Sequence, residues 1–247
     1  MRLSGLHLRV PDPQALARFY VDHLGMLAEV RGDTLRLGYP GQDADLVLHP
    51  GGVTYAHART DRYWKIGITL PNVDIACQQL RDAGLAVSPP QQFRDIGYMC
   101  HLSDPHGFVI ELLQHDFDGN RPVSAGDATL PLGGDARIGQ ITLRTGDIAT
   151  DMAACAALGM RCLSLQPVAP HGFDLHFFAF TDDRPPNPDL RAVSNRAWLW
   201  KRPYTTLEFQ HVAGQVFDPV PSLIGLELEG LPEPQPDIFG TSLIPAP

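Results

Sequence analysis

The chain has only four cysteines, and Cys77, Cys100, Cys155 and Cys162 show no CxxC spacing. That removes the common zinc-ribbon and thiol-redox signatures. It leaves the four as small buried hydrophobes in a reducing compartment. Positive charge is also scarce: 19 Lys and Arg stand against 28 Asp and Glu, for a net charge of −9. The cations form neither a run nor a stripe, which excludes nucleic acid and anionic membrane surfaces as partners. No apolar stretch is long enough to span a bilayer. The opening Met-Arg-Leu-Ser-Gly-Leu-His lacks a secretory apolar segment, so a cytoplasmic location is expected.

What is present is ordinary globular material. The chain has 247 residues, 44% of them hydrophobic and 19% charged, enough for one large or two small domains with a real core. Its organisation is repetitive. Near the start it reads His7-Leu-Arg-Val-Pro-Asp12, then a helical pattern, then Leu24-Gly-Met26. The middle reads Ile66-Gly-Ile-Thr-Leu-Pro-Asn72, a helical pattern, then Ala83-Gly-Leu85. Further on comes Ile141-Thr-Leu-Arg-Thr-Gly-Asp147, a helical pattern, then Leu158-Gly-Met160. Each copy predicts a strand, a turn, an amphipathic helix and a Gly stop. Such a unit cannot close its own core, so the copies must pack on one another.

Module one, 1–50, predicts strand 6–10, a helix capped by Asp12, and strands 28–31, 34–38 and 44–49. Module two, 64–115, predicts strand 65–70, helix 73–83 and strands near 85–87, 97–103 and 108–114. Residues 116–137 are rich in Gly, Asp and Pro and predict a linker. Module three, 138–212, predicts strand 140–145, helix 148–158 and strands 161–165, 174–180 and 204–211. The loop 181–196 is long enough to suggest a lid or an interface. The tail 213–247 is Pro-rich, with one possible strand at 222–229 and no helix.

Tandem βαβββ units with a closing Asp104-Pro-His-Gly-Phe-Val-Ile-Glu111 resemble the vicinal oxygen chelate superfamily, which includes glyoxalase I, extradiol dioxygenases and bleomycin-resistance proteins. The resemblance implies an α+β fold in which tandem modules form curved mixed sheets around a cleft. It also implies a divalent metal there, Zn, Ni, Fe or Mn, held by the first and last strands of each module. Module three is most similar to glyoxalase I. Gln140 falls at the first-strand ligand position, Glu208 at the closing ligand and base, and Arg144 at an anion anchor. Glu111 falls at the closing carboxylate of module two.

The other ligand positions fall on Gly5 and Lys65, neither of which can bind a metal. His7, two residues from Gly5, is a candidate substitute, and Asp45 a candidate closing carboxylate. A metal-free alternative pairs Lys65 with Glu111. Arg9 repeats Arg144 in module one. Tyr98 and His101 are candidate substrate contacts. The strand-ending His49, His115 and His211 are expected at solvent.

Three functions remain open. One is a glyoxalase-like metal-dependent enzyme moving a proton on a small oxygenated substrate. The second is an extradiol dioxygenase, which needs two His and a carboxylate on iron. The third is a non-catalytic protein that binds or sequesters a small molecule. Modules one and two are expected to share one cleft. Module three, lacking a partner in its own chain, would then pair with its copy in a homodimer.

Overall fold

The computed structural model describes residues 1–126, 129 and 131–247. Residues 127, 128 and 130, within the expected linker, lie outside the described residues. Module one supplies β1 (Arg2–Arg9), α1 (Pro13–Leu24), β2 (Leu27–Arg31), β3 (Thr34–Gly38) and β4 (Asp45–His49). Module two supplies β5 (Tyr63–Leu70), α2 (Val73–Asp82), β6 (Gln91–Phe93), β7 (Gly97–Ser103) and β8 (Val109–Gln114). Module three supplies β9 (Arg137–Thr145), α3 (Ile148–Ala157), β10 (Arg161–Val168), β11 (Phe173–Ala179), α4 (Arg196–Trp200) and β12 (Thr206–His211). The tail adds β13 (Leu223–Glu229), β14 (Gln235–Ile238) and β15 (Thr241–Pro245).

The three main helices are each capped by a side chain, the first by Asp12 as expected. Asp12 accepts from Ala15 N, Asn72 from Asp74 N and Ile75 N, and Asp147 from Thr150 N. Each bond satisfies an N–H that the first turn would otherwise leave without a partner. Gly25 closes α1 with φ of 71°. That is the left-handed region, where a side chain is strained.

The strands form two mixed sheets. One has seven strands in the order β14-β15-β13-β1-β4-β3-β2; the other has eight, β10-β11-β12-β9-β5-β8-β7-β6. Within each module the first and last strands pair in parallel: β1 with β4, β5 with β8, β9 with β12 and β13 with β15. Modules then join through antiparallel first strands, β5 with β9 and β1 with β13. One core joins α1 and α2 to residues of both sheets, including Leu6, Tyr20, Ile68, Leu70 and Ile110. Between these layers the Tyr20 hydroxyl donates to Asp104 at 2.8 Å.

This topology corrects three expectations. Modules one and two do not share a cleft, because module two pairs with module three and module one with the tail. The tail is not a bare extension with one strand. It forms three strands without a helix, and its first and last pair in parallel as in the other modules. Module three is therefore partnered within its own chain, and the unpaired sheet that motivated a homodimer does not exist. Apart from the topology, the second strand of module two is β6 at Gln91–Phe93 rather than one near 85–87.

The loop 181–196 is tied down by hydrogen bonds and does not line the cleft. Leu165 N donates to Leu190 O, and the buried Asn195 side chain bonds Asn187 and Asp189. It delivers α4, whose Trp200 packs edge-on against Phe177 and donates to Ile96 O. A second apolar cluster of Ile96, Met99, Leu113, Leu175, Phe177 and Trp200 thereby lines one face of the eight-stranded sheet.

Candidate functional site in the eight-stranded sheet

Two adjacent rows of residues cross the centre of this sheet. In one row His101, Glu111, Gly67 and Gln140 stand opposite one another on β7, β8, β5 and β9. In the next, Lys65, Thr142 and Glu208 stand opposite one another on β5, β9 and β12. Strand alternation puts Lys65 and Gly67 on one face, so both rows look into the same space. That space is a cleft of about 670 Å³, within the range of small-molecule sites.

Lys65, Glu111, Gln140 and Glu208 converge at its floor. Lys65 Nζ lies 2.8 Å from Glu111 Oε1 and 3.3 Å from Glu208 Oε2. Gln140 Nε2 donates to Glu111 Oε1 at 2.8 Å, and Thr142 Oγ1 to Glu208 Oε2 at 2.5 Å. His101 Nε2 meets Glu111 Oε2 at 2.9 Å. Gly67 is required here: a Cβ at that position would collide with the Gln140 side chain. All four floor residues are buried.

Burial would push the Glu111 carboxyl up, but the Lys65 ammonium and His101 overcome it and hold it down at about 2. Burial and the charge of Glu111 raise Glu208, against the pull of Lys65. Burial would lower Lys65, yet the two carboxylates outweigh it and keep the ammonium charged. An ordered cation therefore already stands between the carboxylates.

A divalent metal does not fit this donor set. Its place between Glu111 and Glu208 is taken by an ammonium with no lone pair to offer. A second cation at the same contacts would meet like-charge repulsion in a dry site. Gln140 Oε1 is buried without a partner, but it faces a site whose charge is already balanced by lysine. Lys65 and Lys201 are the only lysines in the chain. The compact ammonium reaches both carboxylates as a point charge, where a planar guanidinium would favour one bidentate partner.

At the rim, a bulge in β5 beside Trp64 turns Trp64 and Lys65 to the same side. Lys65 Nζ lies 4.7 Å from the centre of the Trp64 ring and the Arg144 guanidinium 4.8 Å. Arg144 donates to Gln210 Oε1 and Ala58 O, both at 3.0 Å. Among the described residues it has no carboxylate within ion-pair distance. Burial pushes its pKa down to about 10. It is thus a cation on the cleft wall whose nearest acting carboxylate, Asp61, makes no contact ion pair with it.

The remaining candidates lie elsewhere. His7 belongs to the seven-stranded sheet, where its Nε2 meets Glu227 Oε2 at 3.0 Å and its Nδ1 meets His49. It cannot join Glu111 in a metal site. Arg36 bridges Glu227 and Asp45 there, at 2.9 and 3.0 Å. That sheet thus also holds a side-chain cation between carboxylates. Arg9 is exposed on β1 and outside the cleft lining. Tyr98 points away from the cleft and donates to Asp74 on α2. Its spacing from His101 puts the two on opposite faces, so only His101 can line the cleft. His115 is buried rather than solvated, and burial holds it down at about 4. Sequence reasoning missed Trp64, Thr142 and Gln210. The i, i+2 spacing from Lys65, Gln140 and Glu208 was the available signal for a shared face, except at Trp64, where the bulge breaks the alternation.

Residues 2–112 match the Glyoxalase/Bleomycin resistance protein/Dioxygenase superfamily. The chain is similar in fold to glyoxalase I from Zea mays, with TM-score 0.66 and 16% identity over 92% of this chain and 74% of that one. A mutant of that same maize protein aligns over 99% of this chain and 92% of its own, with TM-score 0.69 and 16% identity. A putative dioxygenase from Bacillus subtilis aligns over 93% and 70%, with TM-score 0.54 and 13% identity. No curated protein sequence matches. Residues 2–112 thus belong to the Glyoxalase/Bleomycin resistance protein/Dioxygenase superfamily, the vicinal oxygen chelate superfamily, and the chain as a whole carries its α+β fold.

Proposed function

We propose that the eight-stranded cleft binds a small organic acid with a broad apolar or aromatic body, and that it does so without a metal ion. The carrying observation is Lys65, whose ammonium sits between Glu111 and Glu208 where a cation would stand. The wall supports an acid as ligand, because Arg144 lacks a carboxylate partner and a bound carboxylate would supply one. Phe93, Met99, Phe173, Phe177 and Trp200 offer the apolar surface for the body.

A second reading has a specific observation in its favour. Glu208 is buried and its carboxyl is raised, and Oε1 accepts no hydrogen bond among the described residues. A carboxylate tuned upward in a cleft is suited to take a carbon-bound proton and return it. Lys65 and Gln140 would face the oxygen on which charge develops. This reading keeps proton transfer on a small oxygenated substrate and routes it through side chains alone. The ring-cleaving alternative fits worst, since the converging set is Lys, Glu, Gln and Glu rather than two His and a carboxylate.

Titrating the protein with aromatic carboxylates and their neutral amides, read by Trp fluorescence, separates the outcomes. The binding reading expects the acids to bind and the amides to bind at least about tenfold more weakly, the worth of one charged hydrogen bond. Equal affinity of acid and amide would overturn it. Glu208→Gln keeps affinity on the binding reading and abolishes solvent-deuterium exchange into the bound ligand on the catalytic one.

A further inference from the structure

The face of the eight-stranded sheet opposite the cleft carries a second group of polar side chains. On β11, Phe173, Leu175 and Phe177 line the cleft, so Asp174 and His176 point to the other side. On β12, Glu208 and Gln210 line the cleft, so His211 joins them. Asp174 stands directly opposite His211 in the antiparallel pairing. Their nearest atoms, Asp174 Oδ2 and His211 Nδ1, are 3.9 Å apart. The rings of His176 and His211 are 6.0 Å apart at 77°. One ligand atom from each of the three lies within 4.8 Å of the other two.

His176 is the informative member. Both its ring nitrogens are shut off from water and have no hydrogen-bond partner. Buried imidazoles without partners are uncommon because each dry nitrogen forfeits its hydrogen bond to water. A cation held with a second imidazole and a carboxylate, whose ligand atoms lie within 4.8 Å, would give such a nitrogen a partner. The backbone is fixed by the β11–β12 ladder, and Phe178 and Phe209 pack on the same face at 5.9 Å. Two other charges reach the group: Arg191 acts on His176, and Asp147, the cap of α3, on His211.

We propose that Asp174, His176 and His211 form a site for one divalent transition-metal ion on the outer face of this sheet, separate from the cleft. Two imidazoles and one carboxylate select zinc, cobalt, nickel or copper over magnesium or calcium. Donors sharing a tetrahedral zinc stand about 3.3 Å apart at ordinary bond lengths. The Asp174–His211 pair therefore closes by about half an ångström on binding, within reach of a side-chain rotation. The fourth position is left to water.

Equilibrium dialysis of the full chain against zinc chloride, with cobalt absorption as the second readout, tests this. The wild type should bind one tight ion, and Co(II) should show a tetrahedral visible spectrum. His176→Phe and His211→Gln, checked for folding by thermal melts, should each weaken zinc at least about tenfold. Glu208→Gln, on the other face, should leave zinc binding unchanged. Absence of tight zinc in the wild type, or zinc retained in both histidine variants, would overturn the site. Loss of zinc in Glu208→Gln alone would place the ion in the cleft and overturn it as well.

Discussion

Lys65 and Glu208 come from different modules, yet Lys65 Nζ lies 3.3 Å from Glu208 Oε2. The same ammonium reaches Glu111 in its own module. The charge cluster therefore ties module two to module three across the β5–β9 seam. The cleft belongs to the pair, and neither module contains it alone.

Removing Lys65 leaves two buried carboxylates with no cation. Lys65→Met should destabilise the protein by about 3–5 kcal/mol at neutral pH, as for other buried ion pairs broken from one side. Urea unfolding monitored by Trp fluorescence measures this. A Lys65→Met chain as stable as the parent would show that the cluster contributes nothing.

Acid should act on Glu111 and Glu208 in opposite directions. Glu111 is held at about 2 against an ordinary 4.5. Its stabilising share is present above pH 4.5 and is lost as pH falls toward 2. Glu208 is raised, so its share is present below pH 4.5 and is lost as pH rises through its folded value. Unfolding free energies between pH 5 and 2 should fall less steeply in Glu111→Gln than in wild type. Glu208→Gln should keep the wild-type loss or steepen it.

Gly67 and Gln140 should behave as a coupled pair. Gly67→Ala forces the Gln140 side chain to move and should cost about 1–3 kcal/mol as overpacking. In a Gln140→Ala background most of that cost should vanish. Additive effects in this double-mutant cycle would mean that the two do not meet.

Arg144→Met should weaken an aromatic carboxylate by about 10- to 100-fold, the range for losing a charged hydrogen bond. Its neutral amide should hardly respond. Calorimetry of both ligands on both proteins checks the difference. An equal loss for acid and amide would assign Arg144 to packing on Trp64.

Much of the fold could be read along the chain because its signals are local. Asp12, Asn72 and Asp147 mark helix starts, and period-two strands follow each Gly stop. The pairing of modules could not be read that way. Whether β5 sits beside β1 or beside β9 depends on contacts between distant segments, which the local strand pattern does not encode. The tail's three-stranded unit stayed hidden because it lacks a helix and carries Pro221, Pro232 and Pro234 between or beside its strands. Glu111, Gln140, Glu208 and Lys65 were placed by the resemblance of their strands to the superfamily's ligand positions, so the four floor residues were visible. Their joint geometry depends on Gly67 and on a bulge beside Trp64, and neither has a sequence signature. Asp174 and His176 escaped notice, and His211 was expected at solvent, because a polar residue on every second strand position is also the pattern of a solvated face.

Anomalous diffraction from crystals soaked in manganese or zinc tests most directly whether Lys65 takes the cation position of the cleft. No anomalous peak should lie within bonding distance of Glu111 or Glu208, and density for the Lys65 side chain should run unbroken between them. A Lys65→Ala crystal treated the same way should gain a peak at that position. A peak bound by Glu111 and Glu208 in the unmodified protein, with Lys65 swung aside, would contradict it.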